Sequence, residues 1–126
     1  MKQTGAFLLF MMLAGVARLE AHAFLQQAKP GVGSTVQASP NEVKIRFTER
    51  IEPALSKIQV FAATGDEVDK RDAHLDRSDP AILIVSLPKL GIGTYKVVWR
   101  VVSSDTHVAE GNFTFHIRSA KNVRKS

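Results

Sequence analysis

Four histidines and no cysteine occur in the 126 residues, and two of the histidines stand where metal chemistry is available. His22 follows Ala21, and a cut between them would make His22 the first residue of the processed chain. A free α-amine, with an ordinary pKa of about 8, would then sit beside its own imidazole. The amine nitrogen and the ring Nδ1 can close a six-membered chelate on one ion. The second setting is Asp105-Thr106-His107. On an extended segment residues two apart point the same way, about 6.5 Å from each other, so Asp105 and His107 can add one oxygen and one nitrogen. Three nitrogens and a carboxylate oxygen, roughly coplanar, suit Cu(II) above other divalent ions, and the Irving–Williams order pushes the same way. Calcium or magnesium would want more oxygen. Each fragment also has an ordinary reading. Asp105 can accept backbone N–H groups and set a turn, and His107 can be an exposed loop histidine. Their joint occurrence is what points to a metal.

The chelate depends on the cut. Met1–Gly5 carries Lys2 and leads into the apolar run Ala6–Ala17, too short for the roughly 20 residues of a membrane span. It fits the apolar region of a secretory signal peptide, with Arg18–Ala21 as the cleavage region. Residues 1–21 are therefore expected to be a leader, and the processed protein to work outside the cytoplasm without spanning a membrane. Cleavage after Ala23 would use Ala21-His22-Ala23, a better formal match, and would discard His22. The cleavage rules leave the two open. All three methionines, Met1, Met11 and Met12, lie in this stretch, so the rest of the chain has no sulfur ligand of any kind. With no cysteine, disulfides, thiolate zinc sites, iron–sulfur clusters and a Cys nucleophile are excluded as well.

The elements that must hold these groups read as strands. Glu42–Glu49 and Ser56–Phe61 alternate apolar and polar residues with period two. Ala81–Leu87 is a continuous apolar run that fits a central strand. Thr94–Val102 puts Tyr95, Val97, Trp99 and Val101 on one face, and Gly111–Ile117 does the same with Phe113, Phe115 and Ile117. The prolines at 30, 40, 53, 80 and 88 fall between these runs, where a sheet tolerates them. About seven short strands with regular turn signals predict one all-β domain, a β-sandwich, with Phe47, Trp99, Phe113 and Phe115 in its core. Hydrophobic residues make up 44% and charged residues 23%, which argues against a disordered or coiled-coil chain. The net charge of +5 permits an acidic partner. The basic end, residues 119–126, has too few cations and no interleaved aromatics for nucleic-acid binding, and is expected to be a solvated tail.

At this point the chain resembles the CopC copper-binding proteins of the bacterial periplasm. The resemblance runs from His22-Ala23-Phe24-Leu25 and Lys29-Pro30-Gly31-Val32-Gly33-Ser34 through Ser39-Pro40 and Val43–Glu49. It continues over Leu87-Pro88 and Gly93–Asp105 to His107 and Gly111–Phe115. It implies a Greek-key β-sandwich, immunoglobulin- or cupredoxin-like, over residues 22–118. It also implies one Cu(II) per chain, held by His22 (amine and imidazole), Asp105 and His107, and it favours the cut before His22. Two positions depart from the pattern: Thr106 stands where the family usually has Gly, and Val108 where Pro is usual. Some relatives carry a second, Met-rich Cu(I) site, which this chain is expected to lack.

Three functions follow in order. The first is a non-catalytic copper carrier that sequesters Cu(II) or hands it to an inner-membrane transporter of the CopD type, as the resemblance implies. The second is an oxygen-activating enzyme with a histidine brace; against it, Asp105 would favour Cu(II) over Cu(I), and one Trp and one Tyr make a poor substrate platform. The third is a metal-free sandwich used for assembly. The chain is thus expected not to be an enzyme. Among the remaining residues, Glu49 reads as a strand end, or as a carboxylate orienting a ligand. His74 reads as part of a surface loop, and His116 as solvent-facing or at a sheet edge. The acidic segment around Asp66–Asp79 lacks an EF-hand spacing and reads as a solvated loop.

Overall fold

The structure, a computed structural model, describes residues 24–119. Eight strands occur in this span: β1 (Leu25–Lys29), β2 (Thr35–Val36), β3 (Glu42–Phe47), β4 (Lys57–Ala62), β5 (His74–Leu75), β6 (Ile82–Ser86), β7 (Gly93–Val102) and β8 (Val108–Ile117), with a 3₁₀ turn at Pro53–Leu55. They form two four-stranded sheets in the orders β1-β3-β6-β5 and β2-β8-β7-β4. The chain passes repeatedly between sheets, and pairing is antiparallel except for β2 with β8. The β-sandwich expected from the alternating runs is what forms.

Alternation decides which residues meet. Val43, Ile45 and Phe47 of β3, Leu83 and Val85 of β6, and Tyr95, Val97, Trp99 and Val101 of β7 face inward and are buried with Phe113, Phe115 and Ile117 of β8. All four aromatic residues expected in the core are there. In β6, Ile82 and Ile84 face the other way and are buried too. Their cross-strand neighbours are Arg46 and Lys44. These two reach to Asp79 (2.5 Å) and Asp76 (3.9 Å), which lays their aliphatic stems over the sheet. A run apolar on both faces is accounted for in this way.

The acidic segment is the solvated loop expected only in part: Asp66 and Asp72 are exposed, but one carboxylate among them is not. Asp69 is buried, and its carboxylate accepts the N–H groups of Val60 (2.7 Å) and Arg71 (3.1 Å). Val68 donates to the Val60 carbonyl in the second sheet, while Lys70 donates to the Ser86 carbonyl in the first. Asp72 accepts the Ser86 N–H, and hydrogen bonds from Ser86 hold its carboxyl below the usual carboxylate range. This stretch therefore stitches one sheet to the other. A buried carboxylate replaces a strand here, with backbone amides as its partners, because burial without them would be costly. His74, expected in a loop, lies in the two-residue edge strand β5, exposed, with Nδ1 2.7 Å from the Asp72 carbonyl. His116 is half-buried on the outer face of β8, an interior strand rather than an edge, with Nδ1 2.9 Å from Thr94 Oγ1.

Candidate metal centre

β7 and β8 form a hairpin whose last paired residues are Val102 and Val108. The connection Ser103–His107 closes on itself: Ser103 N–H donates to the His107 carbonyl (2.9 Å), and Thr106 N–H to the Ser103 carbonyl (2.9 Å). Thr106 has φ of 69°, the left-handed region. This pattern is the three-residue hairpin loop in which a turn is followed by one left-handed residue. It corrects the extended geometry assumed for Asp105-Thr106-His107. The left-handed residue turns the chain back, so the side chains meet more closely than on a strand, with Asp105 Oδ2 3.1 Å from His107 Nδ1. Two donors at right angles, each about 2 Å from an ion, stand about 2.8 Å apart, so this pair fits adjacent positions on one metal. Both side chains are open to an incoming ion, 55% and 79% exposed.

The turn also explains why glycine suits position 106. A β-branched residue with positive φ carries steric cost of about 1 to 2 kcal/mol, part of which glycine would give back as chain entropy. Thr106→Gly is expected to raise the stability of the protein by about 0.5 to 1 kcal/mol, read as a higher urea midpoint at unchanged slope. A lower midpoint would mean that the Thr106 hydroxyl, which donates to the Asp105 carbonyl, outweighs the strain.

Asp105 is further held by Ser103. The Ser103 hydroxyl donates to Asp105 Oδ1, and the His107 N–H approaches the same oxygen at 3.4 Å. The Ser103 hydroxyl first, and His107 second, keep the Asp105 carboxyl below its usual range. The sequence reading missed Ser103. Its signal was there: the inward stripe Tyr95, Val97, Trp99, Val101 reaches Ser103 at the next step of two, and a polar residue at a core-facing position requires a partner.

His22 lies outside the described residues. Where the chain enters is nevertheless defined. The Phe24 carbonyl accepts the Thr48 N–H (3.0 Å), and the Phe24 ring packs on Phe47, centroids 5.6 Å apart. From Thr48 the chain runs directly to the hairpin loop: the Arg50 carbonyl accepts the Ser104 N–H (2.9 Å), and Ile51 bridges to Ser103. Phe24 and the Asp105–His107 pair thus share one end of the sandwich, joined by residues 48–51. Glu49 lies on that segment and is exposed. Among the described residues no third His, Cys, Asp or Glu gathers with Asp105 and His107.

A model of the CopC domain matches residues 25–118. CutJ of Bacillus subtilis, a copper transport protein, is 33% identical over 101 residues; the match covers 79% of this chain but 19% of CutJ, so the chain spans about a fifth of that relative's length. The crystal structure of CopC from Methylosinus trichosporium OB3b is 38% identical with a TM-score of 0.72, covering 77% of this chain and 94% of that one. PcoC from Escherichia coli, described as a methionine-rich copper resistance protein, is 29% identical with a TM-score of 0.67, covering 75% and 97%. Fold and family model agree, and the chain belongs to the CopC domain family.

Proposed function

We propose that this protein binds one Cu(II) per chain in the periplasm through His22, Asp105 and His107, and that it sequesters the ion or passes it to an inner-membrane transporter of the CopD type. The observation that carries this reading is the convergence of Asp105 Oδ2 and His107 Nδ1, 3.1 Å apart, at the end of the sandwich where the chain enters at Phe24. His22 comes two residues before Phe24 in the chain, and its amine becomes free once residues 1–21 are removed. The donor set would be three nitrogens and one carboxylate oxygen, with no sulfur: the methionines stop at Met12, in contrast to the methionine-rich PcoC. Such a set favours Cu(II) and disfavours redox cycling, and for that reason the reading is a carrier rather than an enzyme. Ligands exposed at a loop suit an ion that must be released to a recipient.

The test is native mass spectrometry of protein exported to a bacterial periplasm, with and without one equivalent of Cu(II). A chain starting at His22 that gains one copper supports the reading. A chain starting at Phe24, or one starting at His22 that takes up no copper, overturns it.

The ligand set also fixes a pH dependence. The amine and both imidazoles must give up protons to bind, while Asp105, held below the usual carboxylate range, stays ionised as the pH falls through the histidine range. Protons therefore compete at the nitrogens, and copper is expected to leave below about pH 5, read from the visible absorption of the loaded protein. Retention at pH 4 would contradict the ligand set.

A further inference from the structure

Ser103 is fully buried, and every polar group it owns is spent on the hairpin loop. Its N–H donates to the His107 carbonyl, its carbonyl accepts the Thr106 N–H, and its hydroxyl donates to Asp105 Oδ1. The hydroxyl also lies 3.4 Å from the His107 carbonyl, but it has one proton, and the nearer acceptor is the carboxylate. Ser103 is anchored in turn by its bridge to Ile51. A carboxylate at an exposed loop tip would otherwise rotate about its side-chain bonds and present either oxygen, or both, to a cation. Here one oxygen is taken from the protein side, and the other is left beside the His107 ring, 3.1 Å from Nδ1.

We infer that Ser103 is the positioning residue of the metal centre: its hydroxyl occupies Asp105 Oδ1 and restricts the carboxylate to one-oxygen coordination through Oδ2. This rests on the reading of Asp105 as a copper ligand. Partners that orient ligating side chains change affinity by about 10- to 100-fold when lost.

The experiment uses the processed protein loaded with Cu(II). Affinity is measured by competition with a chelator, the copper environment by electron paramagnetic resonance, and carboxylate binding by the infrared stretches of ¹³C-labelled aspartate. In the wild type the two carboxylate stretches are expected to be widely split, as one-oxygen binding requires. Ser103→Ala is expected to weaken Cu(II) binding about ten-fold, to change the copper hyperfine splitting and to narrow the infrared splitting, whereas Ser103→Thr restores all three. Added to Asp105→Ala, Ser103→Ala is expected to have no further effect on affinity. If Ser103→Ala keeps wild-type affinity and spectra while Asp105→Ala loses copper, the positioning role is wrong and the copper reading survives. If Asp105→Ala itself binds copper as the wild type does, Asp105 is not a ligand, and both fall. Should Ser103→Ala fail to fold, the wild-type infrared spectrum decides alone: narrow, two-oxygen splitting overturns the inference.

Discussion

Protein bearing one extra residue ahead of His22, for example a retained initiator Met, is expected to bind Cu(II) at least about a hundred-fold more weakly than the processed chain. The extension converts the α-amine of His22 into a peptide nitrogen, which must give up its amide proton before it can bind. The six-membered chelate proposed between that nitrogen and the ring then closes only at great cost, and two of the four proposed donors are compromised at once. The rest of the molecule should be indifferent, since Phe24 is already seated, with its carbonyl on the Thr48 N–H and its ring on Phe47. Thermal midpoints of the metal-free forms should agree, and the whole effect should appear in the copper titration. Equal affinity with and without the extra residue would remove His22 from the ligand set and leave the Asp105–His107 pair to bind as an ordinary two-donor surface site.

The second large effect concerns the hairpin that carries the pair. Trp99 of β7 lies opposite Gly111 of β8, and its indole covers the glycine so closely that a Cβ there would stand 2.6 Å from Cζ2 and 3.0 Å from Cε2. The ring has little room to retreat, because Phe47 meets it edge-on at 5.3 Å and it is buried in the core. Gly111→Ala is therefore expected to lower stability by about 2 to 3 kcal/mol through overpacking, even though alanine ordinarily suits a strand better than glycine. Urea unfolding followed by fluorescence of this single tryptophan measures it directly. A loss below about 0.5 kcal/mol would mean that the β7–β8 pairing shifts to accommodate the methyl group.

The parts of the fold governed by alternation were legible in the sequence. β3, β4 and β7 were anticipated to within a residue or two at each end, because one face of each is buried and a period of two then fixes which residues are apolar. That Asp105 and His107 lie close together was legible, but not the shape that brings them there. Threonine is among the side chains least suited to positive φ, so Asp-Thr-His by itself reads as extended; the one pointer to a left-handed residue was the glycine that the family usually has at position 106. The same turn explains why β8 begins at Val108, earlier than the Gly111 expected: a three-residue loop leaves the strands paired right up to it. Asp69 was hidden for a different reason. It stands among charged residues, and only the tertiary contact with Val60 N–H separates a structural carboxylate from a solvated one.

That carboxylate has a consequence for how copies of the protein meet. β4 is the outermost strand of its sheet, and such strands offer rows of unpaired amides and carbonyls on which another chain can template. From Val60 onward this row is already spoken for: the Val60 N–H goes to Asp69, the Val60 carbonyl to Val68, and the Ala62 N–H to Asp66. A neighbouring molecule approaching β4 there finds a capped rim with a negative charge set behind it, and sheet-to-sheet aggregation loses one of its natural starting points.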